Sequence, residues 1–167
     1  VVAVGHRNRR VIDALTTQME RLSFSPPLHG TNTQAVRLSA LLASLAPGDL
    51  NVVKLLTSGS EATETAMKLA RQYWKQAGAP TKYKVISRYY GYHGATMGAM
   101  AASGTPRRRV PFEPLPTGFV HIPTVHCYRC PFSREYPACD VFCAEYLRQV
   151  IALEGPETVA AVIMEPI

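Results

Sequence analysis

Residues 55–71, LLTSGSEATETAMKLAR, limit what this chain can fold into more than any other stretch. They begin at the end of the apolar run 52–56, pass through Ser58-Gly59-Ser60, and continue with small and apolar residues at three- and four-residue spacing. This pattern predicts a strand, a tight turn and then a helix. Ser58 and Glu61 have the spacing of a capping box, which places the start of the helix at the turn.

A helix that begins in a turn of serines and glycine is suited to hold an anion. The first backbone N–H groups of a helix have no partner inside the helix, and the helix dipole adds partial positive charge there. Gly59 allows the backbone to approach a ligand, and the hydroxyls of Ser58 and Ser60 add donors. An ordinary capped helix is the other interpretation of the same residues.

A second feature, Tyr92-His93-Gly94, follows a second predicted strand at residues 83–87. It offers an aromatic face and an imidazole next to a glycine. An anion site at a helix N-terminus together with a flat aromatic ring suits a phosphorylated aromatic cofactor.

The combination of these motifs resembles one enzyme family. SGSEATETAMKLAR followed by YYGYHGATMGAMAASG is similar to the class III pyridoxal-phosphate-dependent aminotransferases, the ω-amino-acid and 4-aminobutyrate transaminase family. The similarity extends upstream to VGHRNRRVIDALTTQMERL and downstream to VAAVIMEPI. It implies a homodimeric enzyme that moves an amino group from an amine or ω-amino acid to a keto acid through a Schiff base. It also implies the fold-type-I large domain.

The resemblance assigns roles to individual residues. Gly59 and Ser60 match the phosphate-binding pair, with Ser58 beside them, and Tyr92 matches the aromatic residue that stacks on the pyridine ring of pyridoxal 5'-phosphate. His93 is expected to support the site, with a satisfied loop histidine as the alternative. Glu165 matches the glutamate of the Glu-Pro motif near the cofactor's hydroxyl side. The expected cofactor-binding residues are Ser58, Gly59, Ser60, Tyr92, His93 and Glu165.

The lysine that this chemistry needs is not expected in the chain. The amine that forms the Schiff base lies downstream of the Glu-Pro strand in the family, beyond residue 167. None of the lysines falls in a loop predicted to face the anion site. We therefore expect no catalytic residue here and no transamination by this chain alone. The lysines are Lys54, Lys68, Lys75, Lys82 and Lys84.

Residues 1–167 are expected to form part of one pyridoxal-phosphate-binding large domain, with an N-terminal segment and a C-terminal part absent. The composition, 47% hydrophobic and 18% charged, is that of a globular chain. The net charge of +6 comes with arginine clusters that lack interleaved aromatics, so we do not expect nucleic-acid binding. No apolar run is long enough for a membrane span, and we expect a cytoplasmic protein.

Helices and strands are predicted to alternate along the chain. Helices are expected at residues 9–22, from 33, from the serine turn to 77, at 96–102 and at 141–153. Strands are expected at 52–56, 83–87, 119–122 and 159–164. This alternation predicts an α/β fold with a mostly parallel mixed sheet flanked by helices.

Four cysteines at C-x2-C-x8-C-x3-C spacing allow a different interpretation. Four thiolates this close could hold zinc, and the chain would then be a metal-stapled, non-catalytic binding module. The second interval is short for a zinc ribbon, and the last pair runs into a predicted helix. We therefore expect no metal and reduced thiols at Cys127, Cys130, Cys139 and Cys143.

Overall fold

The structure is a computed structural model that describes residues 2–26 and 28–166. The chain divides into two compact units, Val1–Leu55 and Leu56–Ile167.

The first unit contains two helices, α1 (Arg9–Arg21) and α2 (Thr33–Leu45), as the sequence predicts. Each begins at an asparagine whose side chain accepts a backbone N–H. Asn8 accepts that of Val11 at 3.4 Å, and Asn32 accepts that of Ala35 at 2.9 Å. Local capping therefore accounts for where both helices start.

The strand predicted at residues 52–56 is wrong. These residues have no regular secondary structure, and within the described part of the chain they pair with none of the strands. An apolar run is compatible with a strand, but a strand exists only where a neighbour accepts and donates its backbone hydrogen bonds.

The second unit carries the sheet and most of the helices. Residues 103–118, where the sequence predicted neither a helix nor a strand, contain a short helix and a 3₁₀ turn. Over the described residues, no helix is both long and apolar enough to cross a membrane. The elements are α3 (Gly59–Gln76), β1 (Lys84–Arg88), α4 (Met97–Ala102), α5 (Pro106–Arg109), β2 (Phe119–Ile122), α6 (Phe142–Glu154) and β3 (Val159–Val162), with 3₁₀ turns at Val110–Phe112 and Cys127–Arg129.

The sheet has β1 in the middle, between β2 and β3, and both neighbours run parallel to it. Val85 pairs with Phe119 on one side and with Ala161 on the other. The prediction of an α/β fold with a parallel sheet and flanking helices is confirmed. Parallel pairing also brings the carboxyl ends of the three strands to one edge, which is where ligands bind in such sheets.

Helices cover both faces of the central strand. Side chains alternate between the faces of a strand, so neighbouring residues of β1 enter different clusters. Val85 packs with Met67 of α3 and Ala102 of α4. Ile86 packs on the other face with Ile122, Val159 and the apolar side of α6. Both Val85 and Ile86 are fully buried, so β1 is the centre of the core.

Removing the Ile86 side chain tests this arrangement. We expect Ile86→Ala to lower the free energy of unfolding by about 2–5 kcal/mol, because a buried cavity replaces its packing against both neighbouring strands. Leu153→Ala, on α6 and 86% exposed, serves as the control and should change it by less than about 0.5 kcal/mol. Denaturant titration of the complete polypeptide measures both values. Equal losses in the two variants would contradict the placement of Ile86 in the core.

Candidate functional site

The N-terminus of α3 leaves backbone N–H groups free for a ligand. Ser58 Oγ accepts the N–H of Glu61 at 3.2 Å, which confirms the predicted cap. The Glu61 carboxylate turns back and accepts the N–H of Thr57 at 2.9 Å. The side chain of Thr57, and after it this backbone hydrogen bond, lowers the pKa of the Glu61 carboxyl. The N–H groups of Gly59 and Ser60 lie in the first turn, where the helix supplies no acceptor.

The start of α3 and the loop that follows β1 line one cavity. The cavity has a volume of about 420 Å³. A Cβ atom on Gly59 would meet nothing within 4 Å, so the start of the helix faces open space. The lining residues are Ser58, Gly59, Ser60, Thr63, Tyr92, His93 and Gly94.

Two elements that lie more than thirty residues apart in the chain therefore meet at one cavity. Five of the six expected site residues line this cavity, and Glu165 does not. The sequence analysis missed Thr63. Helical spacing could have identified it, because Thr63 lies four residues after Gly59 and therefore on the same face of the helix.

Gly94 joins the loop to the helix. The N–H of the next residue, Ala95, donates to Ser60 Oγ at 3.0 Å. A Cβ atom on Gly94 would lie 2.6 Å from Ser60 Oγ and 2.7 Å from the Ala99 Cβ, and its φ is +142°. Only glycine combines this backbone conformation with so close an approach. The close contact keeps the Ser60 hydroxyl at the cavity.

The Tyr92 ring is accessible from the cavity. Its side chain is 48% exposed, and the Arg108 guanidinium carbon lies 4.8 Å from the ring centroid. This is a cation–π distance. The ring therefore keeps surface free for a ligand.

His93 is buried and lines the same cavity as Tyr92. Its backbone N–H donates to Ser103 Oγ at 2.8 Å, and that hydroxyl donates to the Ala99 carbonyl at 2.9 Å. Its Nε2 has no hydrogen-bond partner among the described residues. Burial lowers the pKa of His93, the charge of Glu165 opposes this, and that of Arg88 adds to it. The imidazole is therefore neutral near pH 7.

Glu165 lies at the end of the segment after β3 and contacts the backbone of the loop. Its Oε1 accepts the N–H of Tyr92 at 2.6 Å. Its carbonyl accepts a hydrogen bond from the Arg88 side chain. Glu165 thus connects the ends of β1 and β3 next to the cavity.

Glu64 of α3 has a structural role next to the cavity. One carboxylate oxygen accepts three hydrogen bonds, from the Thr96 hydroxyl at 2.7 Å and from the N–H groups of Gly98 and Ala99 at 2.9 and 3.1 Å. These amides lie at the start of α4. Glu64 therefore caps α4 and fixes it against α3.

No lysine lies among the described residues that line the cavity. Lys84 forms an ion pair with Glu154 at 2.8 Å, and this hydrogen bond raises the pKa of Lys84. Lys82 donates to the carbonyls of Pro156 and Val159. Both amines are thus engaged at the opposite edge of the sheet.

The four cysteines lie close together but are not arranged as metal ligands among the described residues. All four cysteines are free thiols that border a small cavity of about 30 Å³. Among residues 2–26 and 28–166, no group of three or more potential ligands is arranged to hold an ion. The metal-stapled module is therefore not supported. Sequence spacing allowed it because spacing does not determine where the four sulfur atoms point.

Comparison with known proteins agrees with the motifs. The sequence model of the family described as aminotransferase class-III matches residues 1–167. This chain belongs to the class-III aminotransferases. A probable aminotransferase of Mycobacterium tuberculosis is 41% identical over 167 residues, 100% of this chain and 36% of that protein. An adenosylmethionine-8-amino-7-oxononanoate aminotransferase of Geobacter sulfurreducens is 37% identical over 98% of this chain and 36% of that protein.

Solved structures share the fold. An (S)-enantioselective omega-transaminase from Thermomicrobium roseum superposes with a TM-score of 0.92 at 38% identity, covering 98% of this chain and 37% of that one. The omega transaminase of Pseudomonas jessenii in complex with PMP gives a TM-score of 0.92 at 35% identity, covering 99% of this chain and 37% of that one. This class-III aminotransferase chain spans little more than a third of the length of these relatives.

Two glycines that line the same cavity should respond differently to an added methyl group. We expect Gly94→Ala to lower the free energy of unfolding by about 1–3 kcal/mol, because the methyl group collides with Ser60 and Ala99 in a left-handed backbone region. Gly59→Ala, with open space around it, should change that free energy by less than about 0.5 kcal/mol. Thermal and denaturant unfolding of the complete polypeptide measure this difference. If Gly59→Ala lowered the free energy of unfolding as much as Gly94→Ala, this would contradict the open space beside Gly59.

The neutral, buried His93 predicts how stability depends on pH. Its pKa in the folded state lies below the ordinary value of about 6.5, so the unfolded state binds the proton more readily. The contribution of the neutral imidazole to the free energy of unfolding is complete above about pH 6.5, and it is lost as the pH falls toward the folded-state pKa. His121 adds in the same direction, because burial and the nearby Arg109 lower its pKa.

An NMR titration of the histidine C–H resonances measures the pKa of His93 directly, and we expect a midpoint below about 6.5. The free energy of unfolding should be smaller at about pH 5.5 than at about pH 7.5. The difference should be smaller in His93→Asn, which cannot take up the proton. A midpoint above the ordinary value would show that the imidazole is charged and paired instead.

Proposed function

We propose that the protein containing this chain is a pyridoxal 5'-phosphate-dependent aminotransferase that moves an amino group from an amine or ω-amino acid to a keto acid. The observation that carries the proposal is the single cavity in which the start of α3 meets the exposed Tyr92 ring. Membership of the class-III family agrees with it. The Pseudomonas jessenii relative was solved with PMP.

The donor groups in the cavity fit a phosphate monoester. The amides of Gly59 and Ser60 point out of the first turn of an 18-residue helix, where the dipole favours an anion. Ser60 Oγ accepts a hydrogen bond from Ala95, so its own proton is free to be donated to a ligand oxygen. Glu61, the acidic side chain of this turn, is directed at Thr57. The space beside Gly59 is large enough for phosphate oxygens to reach the amides.

The loop after β1 provides the surface for the ring of the cofactor. Tyr92 offers an aromatic face, which binds a flat cationic ring by dispersion and quadrupole attraction. His93, neutral and buried, forms part of the lining of the cavity. We infer that Ser58, Gly59, Ser60, Tyr92 and His93 form the cofactor-binding side of the active site, with Thr63 as a further neighbour.

When bound, pyridoxal 5'-phosphate acts as the electron sink that makes the C–H bond of an amine acidic. The residues of this chain bind and orient the cofactor and exclude water. Residues 1–167 form part of the large domain in this proposal. A second copy completing a homodimer and a cytoplasmic location follow from the family resemblance. We expect the isolated chain to be inactive, because no lysine lies at the described cavity.

Exchange of the aromatic face tests this function. In the complete polypeptide, Tyr92→Ala should weaken pyridoxal 5'-phosphate binding about tenfold, because it removes a stacking contact. Tyr92→Phe keeps the ring and should stay within about twofold of the parent. Equilibrium dialysis measures the affinities, and amino transfer from an ω-amino acid to pyruvate measures activity. A parent protein that neither binds the cofactor nor transfers an amino group would refute the proposal.

A further inference from the structure

We propose that Glu165 is a positioning residue, which holds the Tyr92 ring at the cavity by accepting the hydrogen bond of the Tyr92 backbone amide. The resemblance to the family places Glu165 near the cofactor itself, whereas its contacts in the structure are with the loop. This inference rests on the proposed function for its effect on cofactor binding. The hydrogen bond can be tested independently of that function.

Both the backbone and the side chain of Glu165 are engaged. The Arg88 side chain donates to its carbonyl, and Tyr92 N–H donates to Oε1 at 2.6 Å. Arg88 ends β1, and the residue pair spans 77 positions in sequence. The backbone of Glu165 is therefore joined to the end of β1, and this places its carboxylate beside the loop.

The loop is closed tightly around this carboxylate. A Cβ atom on Gly91 would lie 3.0 Å from Arg88 O, 3.1 Å from Glu165 Oε2 and 3.3 Å from His93 Nε2. Gly91 is buried, and its carbonyl accepts the N–H of Gly104 at 2.9 Å. The second carboxylate oxygen thus lies against the loop backbone and not in the lining of the cavity.

The direction of the Tyr92 ring depends on this backbone contact. The ring is half exposed, and the cation that lies over it belongs to Arg108, which is itself exposed. Such a contact does not orient a ring strongly. The short, charge-assisted hydrogen bond to the amide is stronger. It sets where the Cα–Cβ bond of Tyr92 points.

The hydrogen bond is tested first, without cofactor, by amide hydrogen exchange of the complete polypeptide. We expect Glu165→Ala to speed exchange of the Tyr92 amide about tenfold, because a bond to a charged acceptor is lost. Glu165→Gln retains an acceptor oxygen and should give a smaller increase. Glu145→Gln, which removes an exposed carboxylate on α6, should leave the Tyr92 amide unchanged. An unchanged Tyr92 amide in Glu165→Ala, with thermal unfolding confirming a folded variant, would overturn the proposal.

A double-mutant cycle on pyridoxal 5'-phosphate affinity tests the consequence. If Glu165 acts through the ring, Glu165→Ala should weaken binding about fivefold in the parent and less than about twofold in the Tyr92→Ala background. Equal losses in both backgrounds would mean that Glu165 contacts the cofactor directly, and would overturn the positioning role. Glu165→Ala should also weaken binding of the cofactor analogue that lacks the 3-hydroxyl about fivefold. If Glu165→Ala bound this analogue as tightly as the parent does, the result would also indicate direct contact between Glu165 and the cofactor. Failure of the parent to bind cofactor would refute the proposed function while the exchange result still decides the hydrogen bond.

Discussion

The loop that leaves the central strand is held from both sides, and the site depends on this. On one side Ala95 N–H donates to Ser60 Oγ of α3, and on the other Tyr92 N–H donates to Glu165 beyond β3. Each bond joins an element that packs on β1 to the segment that continues β1. The cavity at the start of α3 has a defined wall because the loop cannot move relative to the helix. Packing of the sheet core is therefore also what shapes the site.

The two halves of the site have different physical origins. The anion-binding half belongs to one helix and arises from backbone chemistry, since any well-capped N-terminus presents free amides and a positive dipole. The ring-binding half exists only where a second segment delivers an aromatic side chain to the same place. It is this combination, and not either half alone, that fits a phosphorylated aromatic cofactor and distinguishes the site from an ordinary capped helix.

Much of this could be predicted from residues close in sequence. The helix starts at Asn8, Asn32 and Ser58 follow from side-chain caps, and the motif resemblance indicated the parallel α/β fold. The strand at residues 52–56 was predicted wrongly because pairing depends on a neighbour that local sequence does not name. The cysteine spacing allowed a metal site because spacing in the sequence does not determine where the sulfur atoms point. Glu165 was recognised as a site residue, but its contact with the Tyr92 amide spans 73 positions and has no local signature.

The sequence by itself determined most of the elements, the caps of α1, α2 and α3, and the chemistry carried by each motif, because these depend on interactions within a few residues. The tertiary structure decided which groups meet. It placed Thr63 and Tyr92 at one cavity, turned Glu64 onto the start of α4, and directed the Glu165 carboxylate to the loop backbone. Parallel pairing on β1 determines these contacts, because the sheet register and the core packing set the distance between segments that lie far apart in the chain.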